Sequence, residues 1–201
     1  MVGDEPGECW AGVDVGARRK GFHVAVIDEG SLLQVTSGLG LDRALGVLSD
    51  HRPSVVAIDS PRQAAPDGER SRCGERKLSR VCGIRYTPDR ATIDSHPARY
   101  YDWIRCGFTL YERLDGEAGQ GQPEVIECFP TASWTRWQGP RAGTRAAWTR
   151  AGLAALELDE LPRRTNQDAR DAIAAAVTAR LHHHGRTERY GDIVVPCAGK
   201  G

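Results

Sequence analysis

The sequence predicts an α/β fold: a mixed sheet that opens as an antiparallel meander, continues in parallel strands and carries helices on its faces. Three observations lead there. The first forty residues hold three short strand-like runs joined by short turns. Two later apolar runs, residues 55–58 and 125–129, are separated by helix-length segments and meet a proline soon after or at once. A long Ala-rich helical stretch then follows Thr165. Short links favour antiparallel neighbours, and helix-length crossovers favour parallel ones.

In order, residues 10–15 read as the first strand and 22–27 as the second, entered through the turn at 16–21. Residues 32–36 are the third, after the Asp28-Glu29-Gly30-Ser31 turn. Residues 41–49 have helical spacing, with Leu41, Leu45 and Leu48 on one side, and Pro53 ends the segment. Residues 55–58 are fully apolar, as central parallel strands are, and Ser60-Pro61 stops them with Asp59 at the carboxyl end. A basic helix is expected over 68–81 and another over 100–113, with a turn-rich stretch between them and a flexible loop at 116–122. Residues 125–129 are the next strand, ended by Pro130. Helices follow over 131–137 and 144–156, and Thr165 or Asn166 caps a last helix that runs to about residue 183. Residues 193–195 close the chain as a short strand. In this order the first, fourth and fifth strands can lie side by side and parallel.

At 201 residues the chain has the length of one domain, with residues 62–122 as a basic helical insertion. An apolar fraction of 40% suffices for a core, and no stretch reaches the roughly 18 apolar residues of a membrane span. The acidic, polar residues 1–6 do not resemble a secretory signal. Cys9, Cys73, Cys82, Cys106, Cys128 and Cys197 form no C-x-x-C pair and read as reduced, largely core thiols of a cytoplasmic protein. With 27 basic and 27 acidic residues the net charge is zero, which argues against coating nucleic acid by bulk electrostatics. The charge is uneven, however. Residues 62–90 carry eight basic residues against four acidic ones, and residues 128–156 carry no acid while Arg136, Arg141, Arg145 and Arg150 stand among Trp134, Trp137 and Trp148. Basic patches around an acidic centre suit a polyanionic substrate.

Four apolar segments each carry acid: Asp14 in the first strand, Asp59 at the end of the fourth, Glu127 in the fifth, and Asp168 with Asp171 at the start of the last helix. A buried carboxylate costs several kcal/mol, roughly, unless it is protonated, hydrogen-bonded or bound to a cation. Convergence on a pair of Mg²⁺ or Mn²⁺ ions explains all of them together, and two-metal phosphodiester hydrolysis needs such a cluster. Gly12 and Gly16 leave room beside Asp14, Asp168 and Asp171 share a helical face, and Ala172, Ala175 and Ala176 let that helix approach the sheet. Each acid also has a plainer reading. Asp14 and Asp59 fit turn residues, Glu127 fits a salt bridge to an arginine, and Asp168 fits the third position of a capping box begun by Thr165.

The segments Gly12-Val13-Asp14-Val15-Gly16, Ala57-Ile58-Asp59-Ser60-Pro61, Arg72-Cys73 with Gly83, Ile126-Glu127-Cys128-Phe129-Pro130, Asp168 to Ala176 and Ile193-Val194-Val195-Pro196 resemble domain-of-unknown-function family 429, described as predicted nucleases with a ribonuclease H-like fold. The last helix also resembles the D-x-x-D-A helix of Holliday-junction resolvases of that fold. The resemblance implies metal-dependent cleavage of DNA or RNA by two Mg²⁺ or Mn²⁺ ions. It implies Asp14, Asp59, Glu127 and Asp171 as metal ligands, with Asp168 as helper or ligand.

In the insertion, Arg70, Arg72, Arg76 and Arg80 recur at near-helical spacing and can take substrate phosphates. The alternative is a solvated helix whose arginines pair with Glu69 and Glu75. The tryptophans read as core anchors or as base-stacking rings, and His182-His183-His184 as a frayed helix end rather than a metal site. No cysteine sits in a nucleophile pattern, and no dimer signature is present. Two other functions fit the same pattern less fully. A phosphotransferase or ATPase of the actin-like and sugar-kinase group also opens on a D-x-G strand but usually duplicates the fold. A non-catalytic nucleic-acid-binding module would not need every acid in place.

Overall fold

The computed structural model describes residues 7–116 and 122–198. Most of the loop expected at 116–122 and the acidic stretch 1–6 lie outside these residues. Among the described residues, β1 (Trp10–Val15), β2 (Phe22–Ile27) and β3 (Leu32–Leu39) form the antiparallel opening, followed by α1 (Leu41–His51) and β4 (Val55–Asp59). The segment between β4 and β5 (Glu124–Cys128) holds α2 (Cys73–Leu78), α3 (Arg90–Ser95) and α4 (Asp102–Gly116). Then come α5 (Pro130–Gln138), α6 (Arg145–Ala154), α7 (Gln167–His183), β6 (Thr187–Tyr190) and β7 (Ile193–Pro196). The strands make one sheet in the order β3-β2-β1-β4-β5-β7-β6. β1, β4, β5 and β7 are parallel neighbours, and β2, β3 and β6 run antiparallel to theirs.

Both faces of the sheet are covered, and strand alternation sorts the side chains between them. Trp10, Ala25, Val55, Ala57, Ile126 and Cys128 face α7. Ala11, Val13, Val24, Val26, Val56 and Ile58 face α1 and α4 through Leu45, Leu48, Leu110 and Tyr111. α7 is buried from Ala169 to Ala179, as a helix lying between sheet and further helices must be. Its approach is set by Gly12. A Cβ there would sit 2.1 Å from the Ala176 nitrogen and 2.2 Å from the Ala172 oxygen, so helix backbone rests directly on strand backbone.

Several expectations shift. The basic helix over 68–81 contracts to α2. Gly68 takes a φ of 78° and Arg72 stays extended as the residue before the helix, its N–H donating to the Glu75 carboxylate at 3.0 Å. The turn-rich stretch after it contains α3, begun by Asp89, whose side chain accepts from the Thr92 N–H. β6 is an addition: Thr187-Glu188-Arg189-Tyr190 is a polar edge strand with no apolar run to announce it. The histidine triplet is not frayed. His182, His183 and His184 each pair with a different glutamate, Glu124, Glu8 and Glu29, at 3.0, 3.2 and 2.8 Å. The six cysteines are free, with Cys9 and Cys128 buried but Cys73 and Cys197 exposed. Among the described residues no helix is long and apolar enough to cross a membrane.

Candidate active site

β1 and β4 are parallel neighbours, and their register sets Asp14 beside Asp59. Both project toward α7 at strand carboxyl ends, where open α/β sheets gather their ligands. The two carboxyl groups are close enough to hydrogen-bond once one of them is protonated, and carboxylates this close do not both ionise cheaply. Burial first, then the charges of Asp171 and Asp168, raises Asp14 to about 7. Burial, then Asp14 and Asp171, holds Asp59 well above the usual carboxylate range, with Arg145 pulling the other way.

α7 supplies the other acids. Asp14 lies two residues beyond Gly12 along β1, roughly 6.6 Å on. Asp168 lies four residues before Ala172, roughly 6 Å back along the helix. Because Gly12 is fixed under Ala172 and Ala176, the two offsets bring these acids to the same end of the sheet. Asn166 caps the helix, accepting from the Ala169 N–H at 2.7 Å, so Asp168 is not the capping-box acid. Its carboxylate meets Lys20 Nζ at 3.1 and 3.2 Å. Asp171 is 3% exposed and accepts from Trp134 Nε1 at 3.0 Å, Arg145 at 2.9 Å and Gln167 Nε2 at 3.0 Å. Trp134 is thus a core anchor that also orients an acid.

His23 joins this group although it is absent from the residues expected above. It pairs with Asp14 in the β1–β2 register, and the turn that puts Val15 opposite Phe22 is the signal that would have found it. The ring is 4% exposed and Nε2 lies 3.5 Å from Asp168. Burial lowers its pKa, Asp168 opposing, which favours the neutral imidazole, the form with a lone pair to offer. One ligand atom from each of Asp14, His23 and Asp168 lies within 4.8 Å of the other two. Oxygen and nitrogen donors about 2.0–2.4 Å from a common cation require spacings of that order.

Glu127 does not join them. β4 and β5 pair Ala57 with Ile126 and Ile58 with Glu127, so Glu127 leaves the sheet on the α4 side, opposite Asp14 and Asp59. There Arg72 binds both of its oxygens, one at 2.7 Å, and the Arg62 N–H donates at 3.0 Å. The arginine-pair reading of Glu127 is the one realised. The β5 residue facing the acids is Cys128, whose buried thiol is pushed well up by burial and then by the charge of Asp59. That is the opposite of an activated nucleophile.

Arg72 is likewise removed from phosphate binding, because its guanidinium is spent on Glu75 and Glu127 in a buried cluster. Arg76 bonds Glu69 at 2.8 Å, while Arg70 and Arg80 are exposed. None of the four lines the pocket of about 540 Å³ beside Asp59. Its lining includes Arg85, Arg141, Arg145, Thr131 and Trp148. Two of these arginines come from the acid-free stretch noted in the sequence.

A family model described as "Protein of unknown function (DUF429)" matches residues 12–194. No curated protein matches the chain. Among solved structures the chain is similar to Thermus thermophilus RuvC in complex with Holliday junction substrate, with 17% identity and a TM-score of 0.50 over 89% of this chain and 96% of that one. A second Thermus thermophilus RuvC structure gives 17% identity and a TM-score of 0.46 over 88% and 96%. At this identity the likeness of the first concerns the fold, and it marks the seven-stranded sheet with α7 across it as ribonuclease H-like.

Proposed function

The chain belongs to the DUF429 family, and on that footing we propose that it is a metal-dependent nuclease hydrolysing phosphodiester bonds of DNA or RNA. The observation that carries this reading is the pairing of Asp14 and Asp59 at adjacent strand ends, with Asp168 and Asp171 brought to them by α7. Four carboxylates here have two nearby cationic partners, Lys20 and Arg145. The raised pKa values of Asp14 and Asp59 mark their mutual repulsion, and among the described residues both ring nitrogens of His23 lack a hydrogen-bond partner. Divalent cations fit this donor set, with Asp14, Asp59, Asp168 and Asp171 holding two Mg²⁺ or Mn²⁺ ions. Such a pair supplies an activated water and charge stabilisation at the leaving oxygen.

The protein's own groups do the rest. Arg85 and Arg141 line the pocket that opens beside Asp59, where they meet the phosphates flanking the scissile bond, while Arg145 on the same wall is held by Asp171. Trp134 and Gln167 hold Asp171 in one orientation. The chain works as one domain, and the 62–122 insertion serves it by delivering Arg85 and by locking α2 to β5 through Arg72.

The test is a Mn²⁺-dependent cleavage assay of the wild type and Asp14→Asn against single-stranded, duplex and branched DNA and RNA. Cleavage that disappears with chelator and in the variant is expected, and the preferred substrate names the class. A folded, Mn²⁺-binding protein that cleaves none of them would overturn the nuclease reading.

A further inference from the structure

Among the described residues the two ring nitrogens of His23 have no hydrogen-bond partner, although the residue is 4% exposed. Buried polar atoms in folded proteins are mostly bonded, so this position asks for a partner that the described residues do not provide. The ring stands on the α7 face, opposite Asp14 in the register of β1 and β2. The carboxylate nearest to it, Asp168, is 3.5 Å from Nε2, beyond a normal hydrogen bond. That gap and the 4.8 Å limit among the three donor atoms leave space for an ion between them.

We propose that His23 is a metal ligand, its Nε2 joining one oxygen each of Asp14 and Asp168 to hold a divalent cation and to favour Mn²⁺ and other transition ions over Mg²⁺. The inference deepens the nuclease reading, on which it rests for the role of the ion, but its evidence is the nitrogen. Mg²⁺ takes oxygen donors and keeps its waters. Imidazole suits softer first-row ions, so one nitrogen among carboxylates tilts the site toward them. Lys20 lies beside the three donors. Its ammonium bonds both oxygens of Asp168, and with a side chain 64% exposed it can swing into solvent when a divalent ion takes its place. Asp14 then serves two centres, one with His23 and Asp168 and one with Asp59 and Asp171.

The experiment is pulsed electron paramagnetic resonance of Mn²⁺ bound to the full chain, which detects imidazole ¹⁴N directly coordinated to the ion. It is run beside Mn²⁺ and Mg²⁺ titrations. The wild type is expected to show the nitrogen modulation. His23→Gln is expected to lose it, with Mn²⁺ affinity falling at least about tenfold and Mg²⁺ affinity falling less. Asp168→Asn, a milder change at a partly exposed helix start, should weaken the same signal and keeps the test open if His23→Gln does not fold. A wild-type spectrum without nitrogen modulation overturns the proposal, as does a modulation unchanged in both variants, which would come from another histidine. None of these readings requires cleavage. A protein that cleaves nucleic acid with oxygen-only Mn²⁺ defeats the histidine and leaves the nuclease standing, and nitrogen-ligated Mn²⁺ without cleavage does the reverse.

Discussion

Asp14 and Asp59 stand side by side in the register of β1 and β4, their carboxyl groups close enough to share a proton. With both pKa values raised, a proton held by this pair competes with a cation for the same oxygens. Metal binding, proton release and the stability of the sheet end are therefore one linked equilibrium.

The sign of that linkage can be worked out from Asp14. Its folded pKa of about 7 lies above the 3.8 of an ordinary, solvated aspartate, which applies to the unfolded chain. Between those values the folded protein holds more protons than the unfolded one, so stability is highest below the window and declines as pH rises through it. The slope is at most roughly 1.4 kcal/mol per pH unit. Metal-free protein should melt at a lower temperature at pH 8 than at pH 5, and Mn²⁺ should recover more at pH 8. Asp14→Asn should flatten the difference. Equal pH dependence in wild type and variant would remove the shared proton from the account.

Glu127 gives a contrasting expectation. Its carboxylate faces the α4 side of the sheet and is bonded by Arg72 and the Arg62 N–H. Glu127→Gln leaves the Arg72 charge short of a partner in a buried cluster, a loss of about 3 kcal/mol. Urea unfolding should show that loss, while the Mn²⁺ affinity of the folded variant stays as in the wild type. A drop in metal affinity with unchanged stability would restore Glu127 as a ligand.

Gly12 carries the geometry of the site without touching it. An added methyl would meet the backbone of Ala172 and Ala176, which no rotamer change can relieve. Gly12→Ala should push α7 from β1 at a cost of about 1–3 kcal/mol and carry Asp168 and Asp171 away from Asp14. Thermal melts and Mn²⁺ titration should therefore fall together. A variant that melts lower but binds metal normally would show that the helix slides without moving its acids.

What the sequence carried and what it withheld follow from the same physics. The parallel core of β1, β4 and β5 was legible because apolar runs, turn residues and helix-length crossovers are local signals. The approach of α7 was legible too, because Gly12 and the alanines of that helix are small at the right spacing. The side of the sheet to which Glu127 points was not. β5 is covered on both faces, so Val125, Ile126 and Cys128 give no alternation, and one step of register decides between metal and arginine. β6 was missed because an edge strand needs no apolar face. Arg141 and Arg145 at the pocket were visible within an acid-free stretch, but the pattern did not say which of its arginines the fold turns toward Asp59.

Arg141 and Arg145 both line that pocket, yet their duties differ, and the difference can be measured. Arg145 is tied to Asp171 at 2.9 Å and its charge also acts on Asp59 and Asp14. Arg141 is exposed and, among the described residues, pairs with no carboxylate. If Arg141 contacts a phosphate, Arg141→Ala in an Asp14→Asn background should weaken oligonucleotide binding and lower the slope of log affinity against log salt by about 0.7–0.9. Mn²⁺ binding should not change when Arg141→Ala is made in the wild-type chain. Arg145→Ala should act on the metal instead. Removing a cation from beside three acids makes the cluster more negative, so Mn²⁺ binds more tightly while the metal-free protein becomes less stable. Should the two variants behave alike in both assays, the division between a phosphate-facing and an acid-facing arginine would be wrong, and the pocket would be an extension of the metal cluster rather than a separate seat for the substrate.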